Sequence, residues 1–172
     1  WRFHPLEAFM FRLFVLTLLL AAPLVSTGRA EDDHAHEHHV FEAGGIEIIH
    51  PWARAAAQGG DSLVFFELHV EGAPDRLIGA RADRASEAHI VGLTIGADGA
   101  AHQRVGAIDI PAGMFSFDPG GLALELHGLT RPLEKGEHFD LVLEFAAAGP
   151  IEIEVAVEAE GAVQHSHAGH TH

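Results

Sequence analysis

The stretch EAHIVGLTIGADGAAHQRVGAIDIPAGMFSFDPGGLALELHG, residues 87–128, alternates between apolar and polar side chains and is interrupted by closely spaced turn signals. These signals are Ala97-Asp-Gly99, Pro111-Ala-Gly113 and Asp118-Pro-Gly-Gly121, whose residue types favour tight reversals of the chain. Alternation with a period of two is typical of strands that bury one face. We therefore expect this stretch to form several short β-strands joined by tight turns.

Short strands are predicted on both sides of this stretch as well, and no twelve residues of the domain show sustained helical periodicity. The predicted strands are Ile46–His50, Ser62–Val70, Arg76–Ala82, Ala88–Ile95, His102–Ile110, a short strand around Phe115, Leu122–Leu129, His138–Phe145 and Ile151–Glu158. Eight or nine short strands at this spacing indicate an all-β fold, an antiparallel sandwich or barrel. The folded domain is expected to span residues 46–160.

The first thirty residues have the pattern of a secretory signal peptide. Arg2 and Arg12 flank the start of an apolar run, Leu13–Val25, after which small residues lead to Ala30. The run is too short to span a bilayer comfortably. We therefore expect export to the periplasm, cleavage after Ala30, and membrane contact only through the cleaved segment. Because the chain opens with Trp1 rather than Met, the sequence is expected to be a fragment or to have a misplaced start.

The composition argues against several functional classes. The 172 residues carry a formal net charge of −15, and removal of residues 1–30 takes away three arginines and one glutamate, which gives about −17. Nucleic acid is not an expected partner, because its phosphates would meet a strongly negative field that instead attracts cations. The chain has no cysteine, which excludes thiol catalysis, zinc fingers and thiolate blue-copper sites.

Both ends of the expected mature chain, residues 31–45 and 161–172, are rich in histidine. Because they contain little to bury, we expect them to be disordered until something binds them. Their histidines, predicted as weak ligands, are His34, His36, His38, His39, His165, His167, His170 and His172. Neutral imidazoles at high local density bind Zn(II), Cu(II) or Ni(II) reversibly. The alternatives are a solvated tail and a purification tag.

The order of short motifs along the chain resembles the periplasmic copper chaperones of the PCu(A)C family over roughly residues 46–157. The motifs are His50-Pro-Trp-Ala-Arg54, Asp75-Arg-Leu-Ile-Gly79, Glu87-Ala-His89, Ile110-Pro-Ala-Gly113, Pro119-Gly-Gly121, Gly128-Leu-Thr-Arg-Pro-Leu133, Lys135-Gly136 and Phe145. The resemblance implies an antiparallel, Greek-key, cupredoxin-like β-sandwich. It also implies export to the periplasm and delivery of copper to the dinuclear copper centre of cytochrome oxidase.

The metal ligands of that family are only partly matched here. The first histidine of the family matches His89, whereas its first methionine falls on His102. Its later histidine and methionine fall on Ala123 and Glu125, with His127 two residues further on. Met114, the single methionine after residue 30, falls on a turn glycine of the family and is expected to serve packing. The thioether ligands that suit Cu(I) are therefore missing from the family's positions.

Imidazole and carboxylate ligands at these positions suit Cu(II) or Zn(II) instead. Glu125 and His127 share one face of a strand, and a histidine from each arm of the preceding hairpin would complete the set. The predicted metal site is therefore His89, His102, Glu125 and His127. The alternative is a decayed site whose polar residues remain on a retained scaffold. The other histidines, His50, His69 and His138, are expected not to bind metal.

Three functions are compatible with these features. The first is a periplasmic metal-binding protein, a copper chaperone or buffer that hands copper, with zinc as the alternative ion, to a recipient cuproprotein. The second is a metal-free β-sandwich interaction module whose histidine-rich ends alone buffer metal. The third, a zinc enzyme that activates water, is disfavoured because no general base, nucleophile or oxyanion arrangement can be named. We expect the protein not to be an enzyme.

Overall fold

The computed structural model describes residues 40–97 and 99–166, and its regular elements there are all β-strands. The strands are β1 Val40–Ala43, β2 Ile46–Arg54, β3 Ser62–Val70, β4 Asp75–Ala82, β5 Ala85–Gly96, β6 Gly99–Arg104, β7 Ile108–Ile110, β8 Gly113–Phe117, β9 Leu122–Leu129, β10 His138–Phe145 and β11 Gly149–Glu158. Within these described ranges, no helix has the length and apolar character needed to cross a membrane.

The strands form one continuous sheet in the order β6-β5-β9-β3-β2-β11-β10-β4-β7, with β1 paired to β2 and β8 paired to β3. The all-β prediction is confirmed. The sheet is mixed rather than purely antiparallel, because β2 and β11 run parallel over Trp52–Arg54 and Ala156–Glu158. Parallel neighbours need a long connection, and here almost the whole domain lies between the two strands. Because the two strands are so far apart in the sequence, no local sequence pattern predicts that they pair.

Apolar side chains from both halves of the sheet meet in one core. Ile48, Leu68, Leu126, Leu141 and Val155, from five different strands, are fully buried within the same cluster. They alternate along their strands with more exposed residues, as the period of two predicted. Burial of this apolar surface is the main stabilising contribution, and it brings the two halves of the sheet together as a β-sandwich.

Strand β2 carries a bulge at His50, whose φ is +47°. Three residues lead from Ile49 to Trp52 while the partner strand β3 advances by only two residues, so β2 contains one extra residue. Beyond the extra residue, the side chains that would have pointed into the core point outward, and the reverse. Even-numbered residues face the main core before the bulge, whereas Ala53 faces it afterwards. As a result, Trp52 lies on the outer face of the sheet.

A second, smaller cluster of buried side chains covers part of this outer face and consists of Trp52, Phe65, Val91 and Ala123. Ala162, from the segment after β11, packs against it. Arg54 holds that segment in place, because its Nε donates a hydrogen bond of 2.9 Å to the Ala162 carbonyl and its guanidinium lies 5.2 Å from the centroid of the Phe65 ring. The chain after β11 is therefore folded onto the sheet up to this point.

The expected disorder at the two ends does not hold for the parts that the structure describes. Val40–Ala43 form β1 and pair with β2, because this short segment alternates and can extend the sheet. At the other end, His165 is only 3% exposed. The predicted signal peptide, residues 1–30, and the remaining parts of the two ends, residues 31–39 and 167–172, lie outside the described residues.

The predicted strand His102–Ile110 is in fact two strands. The first, β6, pairs with β5, and the second, β7, pairs with β4. Gly106, between them, has a φ of +71°, a conformation that glycine adopts without strain. The turn at Gly106 lets the chain leave one edge of the sheet and reach the other.

The carboxylate of Asp75 joins the start of β4 to the turn between β10 and β11. It accepts backbone hydrogen bonds of 2.7 Å from Arg76, 2.8 Å from Ala147 and 2.8 Å from Ala148. Burial raises the pKa of Asp75, but the backbone N–H donors outweigh that effect and hold the pKa below its usual value. The ionised form is therefore favoured in the folded state.

We expect Asp75→Ala to lower the free energy of unfolding by about 2 kcal/mol at pH 7, because several charge-assisted hydrogen bonds are lost. The folded pKa is below the unfolded one, so this contribution is present above about pH 4 and is lost as the pH falls through the folded pKa. Urea unfolding at pH 7 and at about pH 3 should show the difference between native protein and variant shrinking. An equal difference at both pH values would contradict this account.

Candidate metal site

Four polar side chains form a two-by-two array on the outer face of the β5–β9 pair. In the ladder, Glu87 lies directly opposite His127 and His89 lies directly opposite Glu125. Residues that are opposite each other, or two apart on one strand, share a face of the sheet, and opposite Cβ atoms are about 4.5–5.5 Å apart. We call these four residues the β5–β9 quartet.

The main core holds the register of this pair. Ile90, Leu124 and Leu126, which alternate with the quartet residues, are at most 4% exposed and belong to the main cluster. A slip of one residue would turn these apolar side chains to solvent and the quartet into the core. The position of the quartet thus follows from burial on the other face of the same two strands.

Each histidine of the quartet is held by a carboxylate. His89 Nε2 lies 2.7 Å from Glu87 Oε2, and His127 Nδ1 lies 2.9 Å from Asp61 Oδ1. An ionised carboxylate can only accept, so these two ring nitrogens are the donors, and in a neutral imidazole the other ring nitrogen keeps its lone pair. Arg104 lies 3.5 Å from Glu87 and adds a positive charge beside the array.

Both carboxylates are favoured in their ionised form. The hydrogen bond and charge of His89 hold the pKa of Glu87 below its usual value. The pKa of Asp61 is also lowered, first by the backbone N–H of Gly128, which donates a 2.9 Å hydrogen bond, and then by His127, although burial opposes both. The array therefore combines two imidazoles with anionic oxygens in close reach.

The structure brings together three of the four predicted ligands, His89, Glu125 and His127, and leaves His102 apart. His102 lies opposite Leu93 on the β5–β6 hairpin, four residues beyond His89, which corresponds to about 13 Å along the strand. An ion held at His89 is therefore out of reach of His102. The two-residue turn pairs Gly96 with Gly99, and loop length sets the register of a hairpin. Three residues further from the turn on each strand, Leu93 therefore pairs with His102, so the position of His102 could have been predicted from the turn.

Two residues near the histidines were missed by sequence reasoning. Glu87 could have been found, because it is two residues before His89 and a strand places such residues on one face. Asp61 carries no comparable signal, since it is 66 positions from its partner His127 along the chain. In the described part of the chain, no three side chains of histidine, aspartate or glutamate already form a metal-binding group. Metal binding therefore requires side chains of the quartet to move closer together.

The predicted tail ligand His165 belongs to a different environment. Its ring stacks on that of His50, with centroids 6.0 Å apart and an angle of 4° between the planes, and its Nε2 lies 3.7 Å from Glu158 Oε1. Burial raises the pKa of Glu158, but hydrogen bonds from Ser166 and the charges of His165 and Lys135 outweigh that effect. The pKa of Glu158 is therefore below its usual value. The other predicted tail ligands, His34, His36, His38, His39, His167, His170 and His172, lie outside the described residues.

Comparison with known proteins identifies the family. The family model LpqE-like, described as "Putative lipoprotein LpqE-like", matches residues 46–157. The copper-bound PCuAC domain from PmoF2 is 30% identical, over 70% of this chain and 98% of that domain, with a TM-score of 0.59. This chain belongs to the LpqE-like, PCuAC-type family. The resemblance predicted from the motifs is thereby confirmed.

Other solved structures are similar to this PCuAC-type chain. The apo PCuAC domain from PmoF1 is 26% identical, over 70% of this chain and 99% of that one, with a TM-score of 0.61. The Cu(I) form of DR1885 from Deinococcus radiodurans is 21% identical, over 78% of this chain and 89% of that one, with a TM-score of 0.52, and shows a similar fold. No curated protein matches the chain. The range matched by the family model runs from β2 to β11 and contains the quartet.

Proposed function

We propose that this PCuAC-type protein is an exported copper-binding chaperone or buffer, and that the β5–β9 quartet holds its metal cargo. Membership of the family supports the general role, since its solved relatives include a copper-bound PCuAC domain. The single observation that carries the site is the register that places Glu87 opposite His127 and His89 opposite Glu125. Two imidazoles and two carboxylates thereby project from adjacent positions on one face.

The chemistry of these donors favours a divalent ion. Imidazole suits copper and zinc, and carboxylate is a hard ligand, whereas Cu(I) favours soft thiolate or thioether sulfur. None of the quartet residues contains sulfur, so we propose Cu(II) as the cargo, with Zn(II) as the competing ion. Asp61, which is not part of the quartet, orients the ring of His127, the role that such partners play around metal sites.

Release of the ion follows from the same donors. Imidazole binds metal only in its neutral form, so protons compete with the ion as the pH falls. The quartet lies at the surface, with the His127 side chain 52% exposed, which leaves room for a ligand from a recipient protein. We propose that the recipient is a periplasmic cuproprotein, such as the copper centre of cytochrome oxidase, and that the histidine-rich ends are weaker capture sites. We further propose that cleavage after Ala30 releases the protein, and that its role is binding rather than catalysis.

The test is a titration of the full chain with Cu(II) and Zn(II) against a competing chelator. We expect His89→Ala combined with His127→Ala to remove one strong equivalent, with a fall in affinity of at least about 100-fold, because loss of a residue that only hydrogen-bonds to a metal ligand already costs about 10–100-fold. The matched control is His102→Ala, which also removes an exposed histidine but leaves the quartet intact. It should bind as the native protein does.

Two outcomes would contradict the proposal. If the double variant bound Cu(II) and Zn(II) as tightly as the native protein, the quartet would not be the strong site. That result would favour the alternative in which the histidine-rich ends alone buffer these ions. If His102→Ala lost the strong equivalent, the site would be built on the β5–β6 hairpin instead. Electron paramagnetic resonance of the Cu(II) form provides a second readout, since nitrogen coupling should fall in the double variant.

A further inference from the structure

A second row of polar side chains crosses four adjacent strands at the other end of β3. Glu42 on β1 lies opposite Glu47 on β2, Glu47 lies opposite His69 on β3, and His69 lies opposite Met114 on β8. Residues that are directly opposite share a face of the sheet. The four side chains therefore form a continuous row across the strands, with an imidazole next to a thioether.

This row is separate from the β5–β9 quartet. On β3, Leu63 is the residue opposite Glu125, and His69 lies six positions further along the strand, which corresponds to about 20 Å. Both residues are on the outer face, since the intervening Val64, Phe66 and Leu68 alternate into the main core. An ion bound at one place cannot contact the other.

Met114 is accessible to an ion rather than packed in the interior. It is 60% exposed, although the sequence led us to expect packing. Beyond residue 30 it carries the only sulfur atom of the chain, because there is no cysteine and the other methionine is Met10. A thioether is a soft ligand that selects Cu(I) among the common metal ions, and here it lies directly beside an imidazole.

Glu47 orients the neighbouring imidazole. Its Oε2 lies 3.3 Å from His69 Nδ1, and both side chains are only partly exposed, at 36% and 38%. Since an ionised carboxylate accepts, Nδ1 is the donor, and in the neutral imidazole Nε2 keeps the lone pair that a metal would use. A carboxylate that holds the distal nitrogen of a metal-binding histidine is a recurrent arrangement.

The surroundings of the row attract cations. Glu42, Glu47 and Glu71, with Gly45, line a depression of about 90 Å³, and Glu47 in its wall lies opposite His69. In the described part of the chain, none of these three carboxylates forms an ion pair with arginine or lysine. Their negative charge is therefore not neutralised locally and raises the concentration of cations near the imidazole and the thioether.

We propose that His69 and Met114 form a second metal site, selective for Cu(I), in which Glu47 orients the imidazole. The soft thioether supplies the preference for Cu(I), and the carboxylates of the row supply the negative field. The site does not depend on the quartet, which contains only nitrogen and oxygen donors. The chain would then carry copper in both oxidation states at two places on one face of the sheet.

The test uses the full chain with Met10→Leu, in which Met114 is the only sulfur atom, loaded with one equivalent of Cu(I) under anaerobic, reducing conditions. We expect a sulfur ligand in the copper X-ray absorption spectrum and a shift of the Met114 methyl resonance in protein labelled at methionine methyl groups. The further change Met114→Leu, which preserves size and apolar character, should abolish the sulfur signal and weaken Cu(I) binding by at least about tenfold.

Variants of the other residues distinguish this site from simple adsorption. His69→Gln should weaken Cu(I) binding by at least about tenfold, and Glu47→Gln should do so by about tenfold through loss of orientation. The combined change His89→Ala and His127→Ala should leave the sulfur signal intact, so failure of the quartet and failure of this site can be told apart. The proposal is overturned if Cu(I) binds without a sulfur ligand, or if Met114→Leu binds Cu(I) as tightly as its parent.

Discussion

Replacing Glu125 by methionine is expected to raise the affinity of the quartet for Cu(I) by at least about 100-fold, a larger effect than that of changing a residue that only hydrogen-bonds to a ligand. The physical reason is the register, which places this position directly opposite His89. The change exchanges a hard carboxylate for a soft thioether beside an imidazole. It also restores sulfur at the position where the motif resemblance places a methionine of the family.

The measurement is competition between the protein and a Cu(I) chelator, carried out with Met114→Leu so that the proposed second site does not contribute. The matched control is Glu125→Leu, which removes the carboxylate and fills the same space without sulfur. It should lose affinity for Cu(II) and Zn(II) and gain none for Cu(I). Equal Cu(I) affinities of the two variants would show that position 125 is not part of a metal site.

Phe66→Ala is expected to lower the free energy of unfolding by about 4 kcal/mol, which corresponds to about a thousandfold change in the folding equilibrium. Phe66 is 2% exposed, and its ring stacks on that of Phe117, with centroids 4.4 Å apart. The two residues are also directly opposite in the β3–β8 ladder. Truncation therefore removes burial and an aromatic pair, and it leaves a cavity in the main core.

Urea unfolding followed by circular dichroism is the appropriate measurement, since a loss of this size is a large share of the stability of a small domain. Ile78→Ala is the matched control, because Ile78 is also apolar and on a strand but is 51% exposed. Its effect should stay within about 0.5 kcal/mol. A loss of less than about 1.5 kcal/mol for Phe66→Ala would mean that the core closes around the cavity.

Several strands could be predicted from the sequence with correct bounds. Ser62–Val70, Leu122–Leu129 and His138–Phe145 are found as predicted, because each combines regular alternation with turn residues at its ends. The short strand β1 was missed because it follows a segment of acidic residues and histidines that has few apolar side chains. The bulge at His50 was missed because one extra residue leaves no mark on the local composition.

The candidate site was predictable only in part. His89, Glu125 and His127 were predicted as ligands because the motif resemblance places them at or beside the family's ligand positions and their residue types bind metal, and the ladder places them on one face. His102 was grouped with them because the family's first methionine falls on it and it lies on the other arm of the hairpin, but the turn sets it opposite Leu93. The pairing of His69 with Met114 joins strands that are far apart in the chain, so no local pattern indicates it.

The order of apolar, polar and turn residues is sufficient to establish most of the strands, the all-β class and the family of this protein, because these depend on local alternation and on short motifs. Which side chains become neighbours depends instead on strand register and on pairings between distant segments. The packing of the core sets both, since a shift of a single residue would expose apolar side chains. For this reason the quartet, the row that contains His69 and Met114, and the parallel pairing of β2 with β11 are visible only in the folded chain.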